Sequence, residues 1–132
     1  MAYKYFAELN NINNARFIAL QKGDSLNDID KEIGLRYADG QKLLSKSMCF
    51  EDTAAAIKCC DLVITTDNSI AHLTGSMGVK CYLLLSWVPE WRWGLSGKKT
   101  GWYNSTTLIR QERRGDWTGV MKQARLQIND II

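Results

Sequence analysis

The sequence predicts an α/β domain built on a parallel sheet, and three observations carry that prediction. Two apolar runs, residues 62–66 (Leu-Val-Ile-Thr-Thr) and 80–85 (Lys-Cys-Tyr-Leu-Leu-Leu), are short and nearly uninterrupted, the pattern of strands covered on both faces. Stretches with polar caps and helical spacing alternate with these runs. The chain has 132 residues, 45% hydrophobic and 23% charged, with one proline. That composition suits one globular core and is too short for two lobes.

In chain order, residues 3–10 place Tyr5, Phe6 and Leu9 on one side of a short amphipathic helix that ends at the polar turn 10–14. Residues 16–20 (Arg-Phe-Ile-Ala-Leu) read as a buried strand. A turn at 21–24 follows, and Asp24 or Ser25 caps a weak helix toward Ile33. Residues 35–38 read as another strand. Asp52 or Thr53 then caps a helix over 54–59. After the strand at 62–66, a helix is predicted over 68–77 with Ile70, Leu73 and Met77 on one face, and Gly78 as its left-handed stop. Beyond the strand at 80–85 lies a tryptophan-rich loop, 87–103, then a last strand at 107–110. Asp116 caps a closing helix on which Trp117, Val120, Ala124, Ile128 and Ile131 recur at helical spacing. There is no internal repeat and no linker composition.

Several function classes are disfavoured. Seventeen basic against fourteen acidic residues give a net charge of +3, spread along the chain rather than gathered into the basic face of a nucleic-acid binder. No apolar stretch approaches the ~20 residues of a membrane span. The first residues lack the layout of a signal peptide. The four cysteines, Cys49, Cys59, Cys60 and Cys81, have no metal-ligand spacing, and Cys59 and Cys60 are assigned to packing. Reduced thiols and a cytoplasmic location are the expectation. His72 is the only histidine, so neither a multi-histidine metal centre nor a specific catalytic triad is proposed.

Ligands of open parallel sheets bind at the carboxyl ends of strands, where the next helix begins. Here that place is the turn from Thr65 to His72. Unpaired N–H groups at the helix start favour an anion, and Asn68 and Ser69 add side-chain donors. The plain alternative is that Asp67 or Asn68 is only an N-cap and His72 a surface residue. A second place is the loop holding Trp87, Glu90, Trp91, Arg92, Trp93, Trp102 and Tyr103. Most of its tryptophans are expected to form the loop's own small core. Trp91 with Arg92 could instead face a base, sugar or phosphate, and Glu90 could accept from sugar hydroxyls or pair with Arg92. Lys22 follows a strand and could reach a phosphate, or be a solvated turn lysine.

Asp52-Thr53-Ala54-Ala55, Asp61-Leu62-Val63-Ile64, Asp67, Ala71-His72-Leu73 with Gly75 and Gly78, Trp91-Arg92-Trp93, Trp102-Tyr103, Arg110-Gln111 and Gly115-Asp116-Trp117 occur in this order. The string resembles the C-terminal part of glycosyltransferase family 9-like proteins, heptosyltransferase relatives often attached to tetratricopeptide repeats. The resemblance covers roughly residues 16–125. It implies a Rossmann-like, three-layer domain, the donor-binding half of a GT-B enzyme. The reaction it implies is metal-independent, inverting sugar transfer from a nucleotide-diphosphate sugar to an acceptor hydroxyl, with no cofactor. Asp67, Asn68, Ser69, Ile70 (through its backbone) and His72 would line the donor phosphates.

The chain departs from the family pattern in three ways. Asn68 stands where threonine is usual. The acceptor lobe, which would supply the general base, is absent, so the isolated chain is expected to be inactive without an acceptor lobe. A tetratricopeptide domain is the other expected partner. The family's opening strand, central in a Rossmann sheet, is missing, so a fragment is expected whose sheet closes the gap or recruits a strand. The competing expectation is a non-catalytic module, a degenerate fragment that binds a nucleotide-sugar or only packs against a partner such as a repeat domain.

Overall fold

A computed structural model describes residues 1–21, 34–39, 41 and 49–130. Lys22, the helix expected toward Ile33, and Ile131 lie outside these residues. The described chain is α/β. A 3-10 helix, Tyr3–Asn11, precedes α1 (Phe50–Lys58), β1 (Val63–Thr66), α2 (Ser69–Ser76) and β2 (Cys81–Leu85). A short 3-10 turn, Trp91–Trp93, then leads to β3 (Thr106–Arg110) and α3 (Trp117–Asn129).

The three strands form one parallel sheet in the order β1-β2-β3, with Val63 opposite Cys81 and Cys81 opposite Thr106. Alternate residues of β2 point to opposite faces. Tyr82 and Leu84, with Ile109, pack under Leu9, Ile12, Val120, Met121, Ala124 and Ile128. Leu83 and Leu85, with Leu108, pack against Ala71 and Trp93. Helices therefore cover both faces, which is why β2 is buried along its whole length. Each leucine so buried contributes about 1.5–3 kcal/mol of transfer free energy. The Tyr82 hydroxyl also donates to the Gln127 carbonyl at 3.3 Å, tying α3 to the central strand.

The Asp116 cap is as the sequence predicts: its Oδ1 accepts from the Gly119 N–H at 2.8 Å. Gly78, at φ +69°, ends α2 in the left-handed conformation, so that its N–H reaches the Gly75 carbonyl. Other elements differ. Helix α1 begins at Phe50, and its cap is Cys49, not Asp52 or Thr53. Asp52 is the third helical residue, where its carboxylate reaches back to accept from the Cys49 N–H at 3.0 Å. On α2 the buried residues are Ala71, Thr74 and Gly75, not Ile70, Leu73 and Met77. Close approach of Tyr103 selects the small side of the helix. Cys59 is exposed and Cys60 half-buried; of the cysteines only Cys81 belongs to the core. All four thiols are free.

The strands predicted at 16–20 and 35–38 reduce to a single parallel bridge between Phe17 and Tyr37. Pairing stops there because the Gln41 side chain takes both polar groups of Ala19. Its Oε1 accepts from the Ala19 N–H at 2.8 Å and its Nε2 donates to the Ala19 carbonyl at 3.0 Å. This segment is not paired with β1. A groove of about 280 Å³ separates the two, with Ala19, Leu20 and Gln21 on one side and residues 63–66 on the other.

Candidate functional site

Strand β1 ends at Thr66 and α2 starts at Ser69, so the connecting turn sits at the carboxyl edge of the sheet. Asn68, in extended conformation, caps the helix. Its Oδ1 accepts from the Ile70 N–H at 2.9 Å and from the Thr65 hydroxyl at 3.3 Å. The Ala71 N–H is bonded to the Asn68 carbonyl. Among the described residues nothing bonds the Ser69 N–H. The first turn of α2 contains no acidic residue, so the positive end of the helix dipole is left uncompensated within it.

Asp67, Asn68 and Ser69 are all exposed, while Ile70 is half-buried and lines the groove together with Asn68. The Asp67 carboxylate adds negative charge at this edge, which suits a hydroxyl better than a phosphate. Because Ile70 gives its N–H to the cap, an anion meets Ser69 first and reaches Ile70 only by displacing the Asn68 side chain.

His72, one turn further, is neither a plain surface residue nor part of the groove. Its Nδ1 is 2.9 Å from the Tyr103 hydroxyl, and its ring stacks on Trp93 at 5.2 Å and 26°. Either the hydroxyl donates to Nδ1, leaving the ring proton on Nε2, or Nδ1–H donates to the hydroxyl. Tyr103 and Trp93 are the partners that spacing alone did not supply. Their only signal was their place in the ordered string of motifs.

Trp93 belongs to a loop that the Arg110 guanidinium holds from beneath. It donates to the carbonyls of Gly97 at 2.8 Å, Gly94 at 2.9 Å and Ser96 at 3.2 Å, and also to that of Trp93. Partial burial lowers the Arg110 pKa. The buried Gln111 ties the loop's other end, its Oε1 accepting from the Trp87 and Gly115 N–H groups.

The tryptophans do not form the small core expected of the loop. Trp93 is 3% exposed, but Trp87, Trp91 and Trp102 are 52%, 71% and 57% exposed. Trp91 and Trp102 meet edge to face at 6.3 Å, and the Trp102 Nε1 donates to the Arg92 carbonyl. Arg92 lies 4.8 Å over the Trp91 ring and pairs with Glu90 at 2.7 Å. Glu90 also caps the 3-10 turn by accepting from the Arg92 N–H. Glu90 and Arg92 thus neutralise each other.

The structure therefore brings together two clusters. One is the helix start, with Asp67, Asn68, Ser69 and Ile70. The other is the aromatic loop with Glu90, Trp91 and Arg92, which Trp93 joins to His72. Among the described residues no group of three potential metal ligands occurs, and no helix is long and apolar enough to cross a membrane. No protein-family profile, curated protein or solved structure matches the chain.

Proposed function

We propose that this chain is the nucleotide-sugar-binding half of a GT-B glycosyltransferase of the family 9-like type, working with an acceptor lobe on another segment or chain. The observation that carries the reading is the start of α2. It lies at the carboxyl edge of a parallel strand, keeps an unbonded Ser69 N–H and has no acidic residue in its first turn. In this reading the diphosphate meets the helix at the Ser69 N–H, which does the work of a cation as the nucleoside diphosphate leaves, while the Asp67 carboxylate beside it accepts from a hydroxyl. His72, oriented by Tyr103, presents a further donor when the hydroxyl donates to Nδ1. Trp91 supplies an aromatic face for base or sugar, and the Glu90–Arg92 pair beside it supplies hydrogen-bonding groups without net charge. The base that deprotonates the acceptor hydroxyl comes from the acceptor lobe.

One observation favours a second reading, binding without turnover. Glu90 is held by Arg92, leaving Asp67 as the one exposed carboxylate among the predicted site residues. The exposed Trp87, Trp91 and Trp102 suit a face covered by a partner such as a tetratricopeptide domain. Calorimetric titration of the purified chain with ADP, UDP and GDP and their sugar conjugates tests the proposal. Micromolar binding of one nucleotide-sugar supports it. A folded chain that binds none of them overturns it. Turnover after an acceptor lobe is added separates the enzyme from the binding module.

A further inference from the structure

We infer that the groove beside β1 is a docking slot for an extended, apolar segment of a partner polypeptide, which adds to the sheet as a strand. The groove lies apart from His72 and the tryptophan loop but shares Asn68 and Ile70 with the start of α2; the inference rests on the main chain of β1 and not on the nucleotide-sugar reading. It rests on where main-chain groups point. The Val63 N–H donates to the Lys80 carbonyl at 2.9 Å, and the parallel register sets Val63 opposite Cys81 and Thr65 opposite Leu83. Val63 and Thr65 therefore turn their N–H and C=O groups toward β2. Alternation along the strand turns those of Ile64 the other way, into the groove. No described residue bonds them.

The opposite rim repeats the arrangement. Phe17 donates to the Arg36 carbonyl and accepts from the Ala38 N–H, and both polar groups of Ala19 are held by Gln41. By the same alternation Ile18 and Leu20 turn theirs away from residues 36–41, and Leu20 lines the groove. The walls are largely apolar, with Phe6, Leu35, Val63 and Ile70 among them.

Two rims of main-chain donors and acceptors across an apolar channel specify the occupant's chemistry. A lipid or small apolar ligand leaves both rows unbonded, and a helix has already spent its own groups internally. An extended segment offers donors and acceptors on both edges and side chains to both faces. The pairs on either side, Phe17 with Tyr37 and β1 with β2, are parallel. Strands inside parallel sheets are rich in Val and Ile, so the segment is of that kind.

The test uses the full chain and a labelled peptide, Lys-Lys-Thr-Val-Ile-Val-Thr-Lys-Lys, with a second version N-methylated at alternate residues. Amide exchange is followed at Ile64 and along β2. Saturable binding of the first peptide is expected, with about tenfold slower exchange at Ile64 and at least about tenfold weaker binding of the methylated version. Ile64→Pro, which removes the donor facing the groove and also exchanges a core-packed side chain, should lose binding while β2 stays protected. Ile64→Ala, which trims that side chain but keeps the donor, should retain binding. Three results overturn the inference: no binding, equal binding of both peptides, or an Ile64 amide already protected in a free chain that sediments as a dimer. The last would put a second copy in the slot.

Discussion

Gly75 of α2 lies flat against the Tyr103 ring, so close that a Cβ at Gly75 would stand 2.4 Å from the ring's Cγ. The same tyrosine places its hydroxyl on His72. A glycine on one turn of the helix thus sets the position of the histidine on the turn before. Gly75→Ala should force the ring outward and cost about 1–3 kcal/mol, the usual penalty of overpacking. Urea unfolding checks this, and Tyr103→Ala in the same chain should recover part of the loss, because the clash goes with the ring.

Arg110 holds four loop carbonyls, those of Trp93, Gly94, Ser96 and Gly97. Arg110→Met should leave these carbonyls without their common donor and destabilise the chain by about 1–3 kcal/mol. Tryptophan emission should change with it, since buried Trp93 sits on this support. Unchanged emission and stability would mean that the loop holds itself.

Asp116→Ala removes the side-chain acceptor for the Gly119 N–H at the start of α3. A loss of about 0.5–2 kcal/mol is expected in thermal or urea unfolding. Asp116→Asn, which keeps an acceptor, should lose less.

Burial pushes the Cys81 thiol up to about 12 from an ordinary 9.0. The folded chain keeps this proton where the unfolded chain has given it up, so unfolding releases a proton above pH 9. The contribution is fully present below the unfolded value and falls as pH rises from there toward 12, by up to about 1.4 kcal/mol per pH unit. Unfolding free energies of the native chain and Cys81→Ala, measured across that range, should differ in slope in this sense. Thiol reagents should label the exposed Cys49 and Cys59 in the native chain and reach Cys81 only on unfolding.

The sheet and its last helix were legible because local pattern and tertiary environment agree there. Leu83, Leu84 and Leu85 form a short run that a doubly covered strand accommodates, and Asp116 is a common cap ahead of an apolar stripe. Where long-range contacts decide, the sequence was silent. Gln41 ends the pairing of Ala19 from 22 residues away. His72 finds Tyr103 from 31 residues away. Cys49 caps α1 through sulfur, a side chain seldom used so. Periodicity picked the greasiest side of α2, whereas packing against Tyr103 selected its smallest.

At the helix start, Asn68→Thr should leave nucleotide affinity unchanged or improved, since a hydroxyl caps as the amide does and takes less room. His72→Ala should weaken a bound diphosphate by about 1–3 kcal/mol through loss of its donor. Titration calorimetry of both variants checks the pair. A large loss in the first, or none in the second, would move the phosphates elsewhere.

The most direct test of the nucleotide-sugar proposal is an amide-resolved NMR titration of the chain with UDP-, GDP- and ADP-sugars. The account predicts that one of them shifts the Ser69 and Ile70 amides and the His72 ring together, saturably and at micromolar concentration. Saturable shifts confined to other residues, or no shifts with any of the three in a folded chain, would contradict it.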